Sequence, residues 1–392
     1  MKLLGSASLL RARDGHEAKV SNIELFFDLV YMFAVTQLSH HLLTHMDAVG
    51  ALQTLVLWFA VWLGWQYTSW VTNWFDPERL PVRVLIIAIM LVGLVMAASI
   101  PEAFVGRGLA FAACYVTIQV GRTLLVLLHL GRDHSLAANF RRMLVWLCIA
   151  AVFWIAGAFA TGSTRMMFWI VAVLCEYISP MTGFRLPFLG RSSTRDWTIE
   201  GGHLAERCQL FVIVALGESV LAVGASFAHV AWDMPILIAL LTGFIASVAM
   251  WWLYFDTSSG DGSETIVRST DPGRVGAYFH YVHVTLVGGI IVGAVGNDLI
   301  VAEPAAHSEP AALAVLVGGP ALYLIGNLAY KAVVYGRVPL SHLAGLAALA
   351  VVAALGSLTD HLMVGGLVTL VLVGVAIWES CSRRMFSQQE KT

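Results

Sequence analysis

Glu24 and Asp28 stand four residues apart in the apolar stretch NIELFFDLVYMFAVTQLSHHL, so a helix there carries both carboxylates on one face, with Gln37 further along. In hydrocarbon an ionised side chain costs about 2.5–3.5 kcal/mol on insertion scales, so such groups should face the protein interior and mark a substrate or proton path. Ser21 or Asn22 just before the helix also makes Glu24 a candidate for a simple N-terminal cap. Asp28 lies one turn deeper, where no cap is needed. A second stretch, HLAERCQLFVIVALGESVLAVG, carries His203, Glu206 and Arg207 at one end, where an interfacial salt bridge is the plain alternative to a functional role. Glu218 follows Glu206 by three turns, about 18 Å along a helix axis. Flanked by Gly217 and Ser219, it is expected near the membrane midplane at a small-residue site where another helix approaches closely, and a desolvated carboxyl there can carry a proton.

Glu176 is a further carboxyl in an apolar run, followed by Pro180, which should kink or end its helix. Arg122 is the natural counter-charge, with Asp28, Glu176 and Glu218 all open as partners. His280 and His283 lie one turn apart and are expected to be packed or hydrogen-bonded rather than metal-bound. His40, His41 and His45 with Asp47 cluster at the outer end of the first span, where a transient metal is one reading and a solvated interface group is the expected one, so no metal site is assigned. Walker, dinucleotide, HExxH and GxSxG patterns are missing from the sequence, which leaves ATP-driven transport and familiar hydrolase chemistry without a handle and puts an enzymatic role behind a transport role. No particular cofactor is implied.

The elements that must position these groups are membrane helices. The chain of 392 residues is 58% hydrophobic and 12% charged, with a mean hydropathy of +0.78, and a water-soluble domain needs more charge than that. With about 20 apolar residues needed per crossing, spans are expected near 22–43, 49–71, 81–100, 106–130, 140–161, 165–184, 203–228, 234–256, 274–301, 311–336, 338–358 and 361–379. The tight connections near 336–338 and 358–361 leave room for a re-entrant hairpin in place of two spans. Lys2, Arg11, Arg13 and Lys19 surround a short apolar patch too small for a signal peptide, so the first span should also target the chain to the membrane. Apart from Arg122 and Arg207 inside spans, and Arg107 and Arg165, the Lys and Arg residues fall on the alternate loops that include both termini. Positive residues are retained inside, so a multi-pass protein with both termini cytoplasmic is expected. A net charge of -2 without a basic stripe removes nucleic acid from the partners. The 13 Trp include several near span ends, as an interfacial belt requires, and the 5 Cys, with no CxxC pair, read as small buried hydrophobes.

The halves also echo each other. Glu24 corresponds to Glu206, the motif Trp74-Phe75-Asp76 to Tyr254-Phe255-Asp256, and LVG at 91–93 to LVG at 286–288. The expected fold is therefore an all-α polytopic membrane protein of about twelve transmembrane helices, a six-helix repeat over 1–190 and another over 201–392, related by a pseudo-two-fold axis along the membrane normal. The rival account of these matches is chance similarity between apolar helices.

The stretches ELFFDLVYMFAVTQLSHHL at 24–42, ERCQLFVIVALGES at 206–219, WWLYFD at 251–256, YVHVTLVGGIIVGAVG at 281–296 and GPALYLIGNLAYK at 319–331 resemble the bacterial low temperature requirement protein A (LtrA) family. Family members usually read Arg-His before the Ala-Glu-Arg stretch; here Gly202-His203 stands there, so only the histidine carries over. The resemblance implies a bacterial cytoplasmic (inner) membrane protein and no defined substrate. The residues themselves point first to a proton-linked secondary transporter or permease of an unnamed small molecule or ion. The site would draw on Glu218, Asp28, Glu24, Gln37, Arg122, Glu176, Glu206, Arg207, His203, Asp256 and His283. The alternatives are a membrane-embedded enzyme or cofactor- or lipid-binding protein using Glu206, His203 and His283 in the cytoplasmic half, and a structural stress-adaptation protein whose polar residues only lock helices.

Overall fold

Helices begin and end where the sequence places its breakers. In the computed structural model, which describes residues 9–11, 19–131, 134–197, 199–256 and 261–389, the chain forms α1 (Asn22–Thr44), α2 (Ala48–Trp74), α3 (Leu80–Ser99), α4 (Gly108–Val116), α5 (Arg122–Leu130), α6 (Ala137–Phe159) and α7 (Gly162–Met181). It continues with α8 (Gly201–Ala228), α9 (Met234–Trp251), the short α10 (Asp261–Arg268), α11 (Pro272–Ala302), α12 (Pro310–Leu316), α13 (Gly318–Tyr335), α14 (Leu340–Gly356) and α15 (His361–Gln389). Lys2, Arg13 and the C-terminal Thr392 lie outside the described residues.

Proline enters the first turn of α3, α9 and α12, where its missing N–H costs nothing. Asp233 caps α9 by accepting from the Ile236 amide at 2.9 Å, and Gly336, at φ 66°, closes α13 in the left-handed conformation. Pro180 stands one residue from the end of α7, so it ends the helix rather than kinking it. A π-helical turn at Thr117–Gly121 joins α4 to α5, and another at Trp252–Asp256 follows α9. Among the described residues nine helical stretches are long and apolar enough to cross a membrane. Outside that group are α1 and α7, which carry the carboxylates discussed above, and α14, which has only 17 residues.

Two compact units emerge. Unit 1 comprises Met1–Gln37, Leu52–Arg207 and Ile266–Gly276; unit 2 comprises Leu38–Ala51, Cys208–Thr265 and Ala277–Thr392. The core of unit 1 is aromatic. Trp62, Trp65, Trp154 and Trp169 are fully buried, and Trp154 and Trp169 meet at 5.3 Å between ring centroids, so part of the tryptophan content serves packing rather than an interfacial belt. In unit 2 small residues set the packing. A Cβ on Gly289 would lie 2.4 Å from the Tyr323 nitrogen, one on Gly319 2.3 Å from the Gly293 nitrogen, and one on Gly326 2.7 Å from the Leu286 Cα, so α11 and α13 cross with their backbones nearly touching. Gly217 does not work this way: it is exposed, and a Cβ there would meet nothing within 4 Å. Ser219, on the other side of Glu218, is buried. Of the cysteines only Cys208 is buried, while Cys148 and Cys381 are exposed.

Candidate functional site

Two helices in unit 1 face each other with matched charges. Glu24 and Asp28 lie one turn apart on α1, and His203 and Arg207 lie one turn apart at the start of α8. His203 Nε2 donates to Glu24 Oε1 at 2.9 Å, and Arg207 Nη2 donates to Asp28 Oδ1 at 2.7 Å. The same separation in sequence recurs in both pairs, so the helices run in the same direction here and the pairs are rungs of one ladder, about 6 Å apart. All four residues are buried.

Glu24 is saturated with donors. Its Oε2 accepts from the Ser21 amide and the Ser21 hydroxyl, both at 2.9 Å, and from Arg11 Nη2 at 3.0 Å. The cap and the buried ion pair are thus the same carboxylate, and the two readings of Glu24 merge. Arg11 reaches it because residues 9–11 run antiparallel to the end of α2. The Arg11 amide donates to the Trp74 carbonyl and the Asp76 amide to the Leu9 carbonyl, both at 2.9 Å, while Arg11 Nε donates to the Thr72 carbonyl at 2.7 Å.

Asn73 on α2 fixes the ring of His203. Its Oδ1 accepts from the Glu200 amide at 2.9 Å, and its Nδ2 donates to the Glu200 carbonyl at 2.9 Å and to His203 Nδ1 at 3.2 Å. The Glu200 backbone therefore orients the amide, and Nδ1 must be an acceptor. The Nε2–H tautomer directs its hydrogen at Glu24, although Arg11 Nη2, which can only donate, also lies 3.2 Å from Nε2. Replacing Asn73 with Leu should release that choice and destabilise the protein by about 1–3 kcal/mol, because Nδ1 and the Glu200 backbone lose the bonds that Asn73 makes to them, the Glu200 carbonyl keeping the Leu204 amide. Thermal unfolding of the purified variant measures it.

The second rung is less complete. Asp28 Oδ1 accepts from both Arg207 and Trp65 Nε1, each at 2.7 Å, while Arg207 Nε donates to Ser69 Oγ at 3.4 Å and the guanidinium lies over Phe27 and Trp65. Asp28 Oδ2 and Arg207 Nη1 are buried with no hydrogen-bond partner among the described residues. A guanidinium can grip a carboxylate with two parallel bonds, and this one uses one.

One turn beyond Asp28, Tyr31 brings its hydroxyl to Gly64, where a Cβ would approach it to 2.9 Å. Arg122 Nη1 donates to the Gly64 carbonyl at 3.2 Å and to Thr68 Oγ1 at 2.9 Å. Its Nη2 donates to Gln119 Oε1 in the π-helical turn; Gln119 Nε2 donates to Tyr115 Oη at 2.9 Å, and Tyr115 donates to Glu176 Oε2 at 2.8 Å. Arg122 thus pairs with none of the carboxylates within 4.0 Å among the described residues; neutral groups link it to Glu176.

The remaining sequence candidates are elsewhere. Glu206 is half-buried and accepts from the Val20 amide at 3.1 Å, and Gln37 is half-buried further along α1. Glu218, Asp256 and His283 belong to unit 2: Glu218 is half-buried, Asp256 is exposed, and His283 is locked between the Phe279 carbonyl at 2.6 Å and the Tyr254 hydroxyl at 2.7 Å. His41 and His45 stack at 4.6 Å and Asp47 caps α2 through the Gly50 amide. Among the described residues no group of three His, Cys, Asp or Glu is placed to hold a metal ion.

Sequence reasoning missed Arg11, Asn73 and Trp65 in this site. It also missed a polar cluster in unit 2, where Lys331 on α13 donates to Glu379 Oε2 on α15 at 2.5 Å. Lys331 had counted with Arg337 as a loop charge, yet it is inside a helix and buried. A lysine in an apolar helix carried the same signal as Asp28.

The profile of the bacterial low temperature requirement A protein (LtrA) matches residues 19–377, from just before α1 to within α15. The chain belongs to the LtrA family. It is also 36% identical over 373 residues to the uncharacterized protein RA0937 of Rhizobium meliloti (strain 1021), an alignment covering 94% of this chain and 91% of that one. No solved structure matches it. Within this LtrA-family chain the ladder residues on α1 and α8 fall inside the matched span, whereas Arg11 and Glu379 fall outside it.

Proposed function

We propose that this LtrA-family protein is a proton-linked secondary transporter or permease of the bacterial cytoplasmic membrane. In this reading it has twelve spans, both termini are cytoplasmic and the two six-helix repeats are related by a pseudo-two-fold axis. The observation that carries the proposal is the incomplete second rung. A structural lock gains most from a two-bond grip that leaves no valence open, since each buried polar atom left unmatched costs about 1–3 kcal/mol. Asp28 and Arg207 leave one acceptor and one donor open within a buried seam, where a proton or a polar solute can be exchanged. Arg122 and Glu176 extend the polar path through unit 1, and Glu218 is the carboxyl proposed for unit 2. The enzymatic alternative draws less support, because both ring nitrogens of His203 and of His283 are already engaged and neither is free to act as a general base.

The test uses purified protein in liposomes loaded with a pH-sensitive dye, with an imposed pH gradient and a panel of amino acids, organic acids, sugars and alkali cations. Solute-dependent proton movement is expected, and Asp28→Asn should slow it at least tenfold while leaving the protein folded. Unchanged movement in that variant would exclude Asp28 from the path. For topology, reporters in the 185–195 loop should read cytoplasmic and in the 303–308 loop external; a cytoplasmic 303–308 loop would break the twelve-span arrangement.

A further inference from the structure

The Lys331 cluster of unit 2 repeats the chemistry of the Glu24 rung with one reversal. Glu379 accepts from Lys331, from the Ser341 hydroxyl and faces His342 Nδ1 at 3.7 Å, just as Glu24 accepts from Arg11, the Ser21 hydroxyl and His203. In both clusters an asparagine holds the other ring nitrogen. The reversal lies in that asparagine. Asn327 Nδ2 points to the Leu253 carbonyl at 3.5 Å, which leaves Oδ1 to face His342 Nε2 at 2.8 Å. Asn73 offers His203 a donor, and Asn327 offers His342 an acceptor.

The surroundings of Nδ1 complete the contrast. A serine hydroxyl has one hydrogen, and that of Ser341 is directed at Glu379 Oε1. Ser341 Oγ, 3.2 Å from His342 Nδ1, therefore presents a lone pair to it, and the next atom out is the Glu379 carboxylate. Both ring nitrogens of His342 thus face acceptors. A neutral imidazole has one N–H and leaves one of those contacts without a hydrogen; an imidazolium has two and satisfies both. The charged groups facing His342 are Glu379 on α15, which favours a second proton, and Lys331 on α13, which opposes it. Ser341 and Asn327 are the neutral groups, from α14 and α13.

We propose that unit 2 holds a proton-binding site at His342, in which a second proton on Nδ1 bonds to Ser341 Oγ and makes Glu379 the shared counter-charge of His342 and Lys331. At His203 the group in the corresponding place is a donor. The Nδ1–H bond forms as an O–H bond of hydronium breaks, and the proton returns to water by the reverse step; no other bond changes. The role of this proton in transport rests on the function proposed above, while the binding site does not.

The test is nitrogen NMR of the full-length protein in nanodiscs with labelled histidine, where neutral and doubly protonated rings give distinct shifts. His342→Gln and His203→Gln identify the two signals. From about pH 8 to about pH 5 the His342 signal should move from the neutral to the doubly protonated form. Lys331→Gln should raise the His342 midpoint and Ser341→Ala should lower it. If His342→Gln does not fold, these two variants still identify the signal by its shift. A His342 ring that stays neutral in folded protein across that range overturns the proposal. Titration at His342 without solute-driven proton flux in liposomes keeps the site and removes the transport reading; flux without titration does the reverse.

Discussion

Arg207→Ala should destabilise the protein by about 3–5 kcal/mol, the usual cost of leaving one partner of a buried ion pair uncompensated. The loss falls on Asp28, whose Oδ1 would keep only Trp65 and whose Oδ2 has no partner among the described residues. Arg207 also packs its guanidinium over Phe27 and Trp65, so the Ala variant loses those ring contacts as well. Asp28→Asn should cost less, because the amide oxygen can still accept from both Trp65 and Arg207, although the Arg207 charge is left without its counter-charge. The informative variant is the pair Asp28→Asn with Arg207→Gln, which removes both charges and keeps hydrogen-bonding atoms on both helices. Its cost should fall below the sum of the single costs by about 0.5–3 kcal/mol, the coupling expected of residues in direct contact. Unfolding midpoints in one detergent measure all three. Additive costs would mean that the two charges do not share an environment, and the ladder would then have no special standing among buried polar residues.

What could be read from the sequence follows from how each signal is written. Hydropathy is summed over about twenty residues, so the helices at 22–44, 48–74 and 201–228 were legible to within a few positions. Ionisable residues in apolar runs were legible one by one, which brought Glu24, Asp28, Glu176, His203 and Arg207 onto the page. Partnership was not legible, because it depends on which helices meet. Arg122 was open to Asp28, Glu176 or Glu218 as its partner, yet Asp28 takes Arg207, and Arg122 is linked to Glu176 through Gln119 and Tyr115. Arg11 read as one more cytoplasmic charge, since nothing in its neighbours announces that residues 9–11 lie along the end of α2. Asn73 was invisible for a related reason: its importance lies in which atoms of Glu200 and His203 it faces. Gly217 shows the opposite failure, a small residue beside a carboxylate that suggested a close approach but whose Cβ would meet nothing within 4 Å, while the crossing glycines read only as apolar helix.

Those glycines carry the second large expectation. Gly289→Leu should destabilise unit 2 by about 3 kcal/mol or more, because a side chain there has to displace the backbone of α13 and not a flexible neighbour. A Cβ placed 2.4 Å from the Tyr323 nitrogen cannot be relieved by a rotamer change; α11 and α13 must separate. Separation would also strain the hydrogen bond from the Tyr323 hydroxyl to the Met250 carbonyl at 2.5 Å, which ties α13 to α9. Gly289→Ala should already be destabilising. Gly217→Ala and Gly366→Ala should not be, since a Cβ at either position meets nothing within 4 Å, and alanine is the better helix former by about 1 kcal/mol. The sign of the effect therefore separates close crossing from general intolerance of substitution in a membrane helix. Midpoints of thermal unfolding for the four variants decide it: equal tolerance at Gly289 and Gly217 would mean that α11 and α13 are further apart than their glycines require.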